Sequence, residues 1–191
     1  MDGAATDIQI AVYDAKTLEL LRTFPFCPES GQLECAGITV DPATQSVYMV
    51  SWIGEESGRY LYRYDLHTGA YLGRIHLQCA PQWLQGVAWY DGCLYLTADD
   101  GTADDGEPDH VYRCRVEPGK TSATVVLERT LDDVRLQGEI EGITFDREKK
   151  QMLISYNRGS QIVLGMVRGF YEGYDHEISE IYVYDMVEAT W

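Results

Sequence analysis

The sequence predicts an all-β protein: a β-propeller arc of about three to four four-stranded antiparallel blades, forming a segment of a larger propeller. Three observations predict it. A six-residue phrase recurs as Ala36-Gly37-Ile38-Thr39-Val40-Asp41, Gln85-Gly86-Val87-Ala88-Trp89-Tyr90 and Glu141-Gly142-Ile143-Thr144-Phe145-Asp146. Its glycines return about every 50 residues, the length of a blade of four strands. Apolar and polar residues alternate with a period of two, and no segment carries a helical stripe.

The strands of a blade are named A to D, with the glycine-led A innermost. The chain opens on Ile8-Gln9-Ile10-Ala11-Val12-Tyr13-Asp14, which ends in Tyr-Asp like the later C strands at Tyr64-Asp65 and Tyr184-Asp185. It is read as a C strand, with D over 18–24. The second blade has A at 36–41, B at 47–50, C at 60–65 and D at 70–77. In its C strand Tyr60, Tyr62 and Tyr64 alternate with Leu61, Arg63 and Asp65. The third blade has A at 85–90, B at 94–97, C at 110–113 and runs on to 131. The fourth has A at 141–146, B at 152–155 and C at 180–185. Turn formers punctuate the runs at Asp41-Pro42, Asp91-Gly92, Glu117-Pro118-Gly119 and Asp146-Arg147-Glu148-Lys149. The blades fall at approximately 8–26, 34–77, 83–131 and 139–185, within one incomplete propeller domain. A glycine heads each A strand because innermost strands crowd the axis, and a residue without Cβ lets backbones approach.

Both ends of the chain offer a C strand, so they do not complete one blade. An arc of a six- to eight-bladed ring is expected, as a fragment, a truncated product or one chain of a multi-chain ring. Its open edge strands would pair with missing blades or with another chain. A four-bladed ring with a displaced N-terminal strand is the alternative.

The chain has 191 residues, with 15 Lys and Arg against 31 Asp and Glu, a net charge of −16. That balance speaks against nucleic acid and anionic lipid, which reward clustered cations. It suits solubility, cationic ligands or metal ions. No run of about 18 apolar residues predicts a membrane span. The N-terminus lacks the basic start and apolar core of a secretory signal. Five cysteines, at Cys27, Cys35, Cys79, Cys93 and Cys114, include no C-x-x-C pair. A reducing, cytoplasmic compartment is the expectation.

The D–A and B–C loops of every blade emerge on one face. That rim collects Glu34 and Cys35, 82–85 and 137–141, with the B–C loops 52–58, 99–109 and 157–177. Trp52, Gln85, Asp100 and Arg158 are its candidate ligand-facing residues. The loop 99–109 holds six carboxylates, a composition suited to Ca²⁺ or simply to solvation, and it does not follow the EF-hand pattern. The loop 157–177 is long and carries aromatics beside Arg158 and His176. It reads equally as a pocket wall or as an extra hairpin. His176 is the one histidine placed to act as an acid or base.

Gly37-Ile38-Thr39-Val40-Asp41-Pro42, Val47-Tyr48-Met49-Val50 and Tyr62-Arg63-Tyr64-Asp65-Leu66-His67-Thr68-Gly69 resemble blades of the six-bladed propeller superfamily. That group includes gluconolactonase-like, strictosidine-synthase-like, NHL-repeat and phytase-like esterase propellers. The resemblance runs from about Ile8 to Asp185 and is specific for fold rather than activity. It implies a divalent metal at the channel mouth of the gluconolactonase-like members. Glu141, in Glu141-Gly142, matches one ligand, and Asp99, after the run Leu94 to Ala98, resembles another. The Asn-Gly step of those members is replaced here by Ala36-Gly37 and Gln85-Gly86.

Two functions are carried forward. One is a propeller scaffold or ligand-binding module that takes a small molecule or protein at its face. The other is a segment of a metal-dependent, Ca²⁺ or other divalent, hydrolase or lactonase. Its ligands would be Glu141, Asp99 and Asn157, and the metal would polarise a carbonyl or phosphoryl oxygen.

Overall fold

The computed structural model describes residues 9–53, 56–157 and 180–186. Among the described residues, thirteen strands follow one another in the order CD, ABCD, ABCD, ABC. The first pair is β1 (Gln9–Tyr13) and β2 (Leu20–Pro25). The second blade is β3 (Gly37–Asp41), β4 (Ser46–Val50), β5 (Tyr60–Asp65) and β6 (Tyr71–Gln78). The third is β7 (Leu84–Tyr90), β8 (Cys93–Ala98), β9 (His110–Cys114) and β10 (Ser122–Thr130). The last comprises β11 (Glu139–Asp146), β12 (Gln151–Asn157) and β13 (Tyr182–Asp185). Within each blade, neighbours in sequence pair antiparallel. The all-β propeller arc read from the sequence is the architecture observed.

One device closes four of the turns. Asp14, Asp41, Asp65 and Asp146 each turn a carboxylate oxygen back onto the backbone N–H groups two and three residues on. Four residues after each aspartate the chain turns left-handed, at Leu18, Gln45, Gly69 and Lys150. Only Gly69 does so without a Cβ penalty. Asp41 is buried, and its second oxygen also accepts from the Thr44 hydroxyl at 2.7 Å. Asp41→Ala is therefore expected to cost about 1–2 kcal/mol through unsatisfied donors, read in urea unfolding. Leu18 is 75% exposed with φ 58. Leu18→Gly should stabilise the hairpin by about 0.5–1 kcal/mol; a loss would show that Leu18 makes contacts its exposure does not reveal.

The core lies between blades, and strand alternation divides it. In β4, Val47 and Met49 face the β1–β2 hairpin with Ile10, Phe24, Tyr62 and Tyr64. Tyr48 and Val50 face the third blade with Leu61, Ile75, Leu84 and Leu96. In β8, Leu94, Leu96 and Ala98 join that same cluster, whereas Cys93 and Tyr95 pack on Ile140, Met152 and Ile154 of the last blade. A strand buried on both faces reads as a continuous apolar run, which is why β4 and β8 appear in sequence as nearly unbroken hydrophobic stretches, whereas β12 is buried on alternate residues.

At the axis the A strands nearly touch. A Cβ placed on Gly37 would meet the Val87 nitrogen at 2.8 Å and the Gly86 Cα at 2.9 Å. One on Gly86 would meet the Glu141 carbonyl oxygen at 2.8 Å. Two threonines add ties across blades, one from β3 to β7 and one from β8 to β11. Thr39 Oγ1 accepts from the Trp89 N–H at 3.0 Å, and the Thr97 hydroxyl donates to the Glu141 carbonyl at 2.8 Å.

One feature departs from a set of separate blades. At the periphery β6 and β10 pair in parallel over His76–Gln78 and Ser122–Thr124, so the second and third blades share one eight-stranded sheet. The N–H of His76 adds a bond to the Thr121 carbonyl at 2.8 Å. Both are D strands, and pairing them satisfies edge groups that would otherwise face solvent or another chain. Among the described residues no helix is long and apolar enough to cross a membrane.

Candidate ligand-binding rim

The D–A loops that lead into the second and third blades and the B–C loop of the second line an open cavity of about 810 Å³. Its walls come from Gly31 and Leu33, from Trp52, Ile53 and 56–59, and from 80–83. The loop after β4 is held from beneath by buried hydroxyls. The Ser57 hydroxyl donates to Ser51 Oγ at 2.8 Å, the Tyr62 phenol donates to the Ser57 carbonyl at 3.0 Å, and Ser57 Oγ accepts from the Leu33 N–H at 3.2 Å. The Glu34 carboxylate accepts from the backbone N–H groups of Trp52 and Ile53. Trp52 is thus fixed from both its flanks.

Trp83 meets it from the other blade. The two indoles lie 5.0 Å apart at 40°. Trp83 is 41% exposed, and its backbone adopts φ 54. A bulky residue in the left-handed region is strained, and such strain collects at functional sites. Cys79, also left-handed at φ 62 and exposed, precedes this loop. The carbonyl of Trp83 accepts from the Asp99 N–H at 3.0 Å, which joins the aromatic wall to an acidic one.

That acidic wall lies between the third and last blades. Burial, then the charges of Asp109, Glu141 and Asp100, push the Asp99 carboxyl up to about 7. Glu139 is pushed up to about 7 by burial and by Asp99 and Glu141, against a hydrogen bond donated by Gln85. Burial and Asp100 raise Asp109 to about 6, opposed mainly by the Gly101 N–H that it accepts at 3.0 Å. Burial also raises Glu141, opposed by a side-chain hydrogen bond from Asn157. The hydroxyl of Tyr156, on the same β12, is buried without a hydrogen-bond partner.

Of the residues singled out in sequence, Asp99, Glu141 and Asn157 come together here, with Gln85 beside them on Glu139. Trp52 lines the aromatic cavity instead. Asp100 acts as a clamp: one oxygen pairs with His110 Nδ1 at 2.8 Å and the other accepts from the Tyr112 hydroxyl at 2.6 Å. Arg158 and His176 lie outside the described residues. Among the described residues no three His, Cys, Asp or Glu side chains are arranged to hold a metal ion. Sequence reasoning held Trp83 and Glu139 only as members of the rim segments 82–85 and 137–141, without singling them out, and it missed the pairing of Asp100 with His110 and Tyr112. The period of two offered one signal, since it puts His110 and Tyr112 on the same face of β9.

No protein-family model and no curated protein matches the chain. Solved structures similar to it include hydrazine synthase of Kuenenia stuttgartiensis, at 8% identity and TM-score 0.49, covering 78% of this chain and 36% of that one. A β-propeller domain from Myceliophteria thermophila is similar at 10% identity and TM-score 0.44, covering 79% and 43%. A gluconolactonase of Xanthomonas campestris is similar at 15% identity and TM-score 0.46, covering 75% and 40%. The chain spans about two-fifths of the length of these structures. Its propeller architecture rests on the strand order and hub contacts described above.

Proposed function

We propose that this propeller segment is a ligand-binding module whose ligand occupies the rim cavity between the second and third blades. The observation that carries this reading is the Trp52–Trp83 wall of an 810 Å³ cavity, built from loops of two blades. Ligand sites have this size and this mix of aromatic surface with a few polar groups, here Glu56, Arg59 and Gln82. A fragment screen by ligand-observed NMR tests it. Fragments that bind the wild type should lose binding in Trp83→Ala and keep it in Leu21→Ala, a change on the exposed face of β2. Fragments bound equally by both variants would refute the cavity as the site.

One observation favours a second reading, a metal-dependent hydrolase or lactonase. Asp99, Glu141 and Asn157 share the neighbouring wall, and all three offer hard oxygens. Two carboxylates and an amide fall short of the six to eight oxygens that Ca²⁺ takes. Calorimetric titration of folded protein decides the point. Silence at millimolar Ca²⁺ removes the reading, and binding that survives Asp99→Ala and Glu141→Ala assigns the metal elsewhere.

A further inference from the structure

We infer that the rim cavity selects an alkylated ammonium cation, such as a trimethylammonium group, and seats it on the free face of Trp83. The inference deepens the reading above and rests on the cavity being the site. Three observations lead to it. First, Trp83 is held strained and exposed at the mouth, with its other neighbour Trp52 fixed by Glu34. A backbone that accepts this strain presents one ring to the cavity, and indole is the ring that attracts cations best.

Second, the local charges leave the sign of the ligand to the chain as a whole. The lining contains one carboxylate, Glu56, and one guanidinium, Arg59. Nearby, Arg74 is engaged with the Tyr60 ring at 3.9 Å and with Glu56 at 3.5 Å. With the Glu34 carboxylate on the backbone N–H groups of Trp52 and Ile53, two carboxylates stand against two guanidiniums; the wall is thus close to neutral, and the net charge of −16 sets the field at the mouth. That field gathers cations and repels anions.

Third, the lining is mostly apolar: Leu33, Ile53, Ala80, Pro81 and the two tryptophans. A compact, strongly hydrated ion gains nothing from such walls. A cation sheathed in methyl groups gains both burial and ring attraction.

The test uses choline and its neutral isostere 3,3-dimethylbutan-1-ol, titrated against the whole chain and followed by tryptophan fluorescence. Choline should bind about 10-fold more tightly than the alcohol, the ratio that a partly desolvated cation–π contact supplies. Its affinity should fall as salt rises, because the attracting field is screened. Trp83→Ala should weaken choline at least about 10-fold, while Trp83→Phe keeps part of the affinity. Equal binding of choline and alcohol, or binding indifferent to salt, overturns cation selection and leaves the cavity reading standing. If neither probe binds, cation selection is likewise overturned, and the fragment screen alone then judges the cavity. Choline binding untouched by Trp83→Ala overturns the placement.

Discussion

Gly86→Ala is expected to lower stability by about 2–3 kcal/mol, the cost of overpacking a site that cannot yield. The added Cβ would lie 2.8 Å from the Glu141 carbonyl oxygen, which is backbone, and 2.8 Å from Thr97 Oγ1. The same threonine donates to that carbonyl, so moving it breaks the tie between β8 and β11. Gly37→Ala meets three backbone atoms of the third blade, two of them under 3.0 Å, and should cost as much. Among the described residues Gly142→Ala meets only Ser155 Oγ, and it should cost about 1 kcal/mol, mainly the hydrogen bond that this hydroxyl accepts from the Gly142 N–H. For a chain of this length the first two changes correspond to a fall in Tm of about 5–10 °C. Calorimetry in parallel on the three variants checks the order. If Gly86→Ala unfolds no earlier than Gly142→Ala, the A strands do not approach one another as described.

Acidification from pH 7.5 to 5 should raise the melting temperature, the opposite of what an acidic protein held by exposed ion pairs would do. The sign follows from the buried carboxyls. Asp99 and Glu139 are pushed to about 7 and Asp109 to about 6 in the folded chain, against ordinary values near 4 when unfolded. Between about pH 4 and 7 the folded state therefore holds protons that the unfolded state has released. Stability is fullest at the acid end of that window and declines as pH rises through the folded values. Asp14, Asp65 and Asp146 work the other way, since the backbone N–H groups they accept hold them low. Their stabilisation is lost only below about pH 4, so it does not cancel the trend. Asp99→Asn and Glu139→Gln should flatten the profile and raise Tm at pH 7.5 by about 2–4 °C. A profile that climbs from pH 5 to 7.5, unchanged in these variants, would mean that the blade interface carries no such strain.

The architecture was legible because the packing writes itself into the residue order. Val47 to Val50 and Cys93 to Ala98 are buried on both faces, so their runs are apolar but for Thr97, whose hydroxyl is satisfied by the Glu141 carbonyl. The β6 run alternates, and its burial alternates with it. Gly37 and Gly86 stand where backbones meet, and nothing larger fits. The rim was legible only in outline. Which loops share a face follows from strand direction, and that brought Asp99, Glu141 and Asn157 to one wall. Side-chain pairing does not follow from direction. Asp100 reaches His110 and Tyr112 across its own loop, and Gln85 reaches Glu139 on another blade. The left-handed backbone of Trp83 was hidden because tryptophan gives no sign of it, whereas Gly69 does. The parallel seam between β6 and β10 had no sequence signal either, since both strands read as ordinary outer strands.

The arrangement of blades about one axis is tested most directly by proton–proton contacts at the hub in isotope-labelled protein. Nuclear Overhauser effects are expected from the Gly37 Hα protons to the Val87 amide, and from Gly86 Hα to the protons of Ile143, residues brought within reach only by neighbouring blades. Absence of these contacts in a sample that retains the hairpin contacts within β3–β4 and β7–β8 would contradict the account, because strands would then pair without converging.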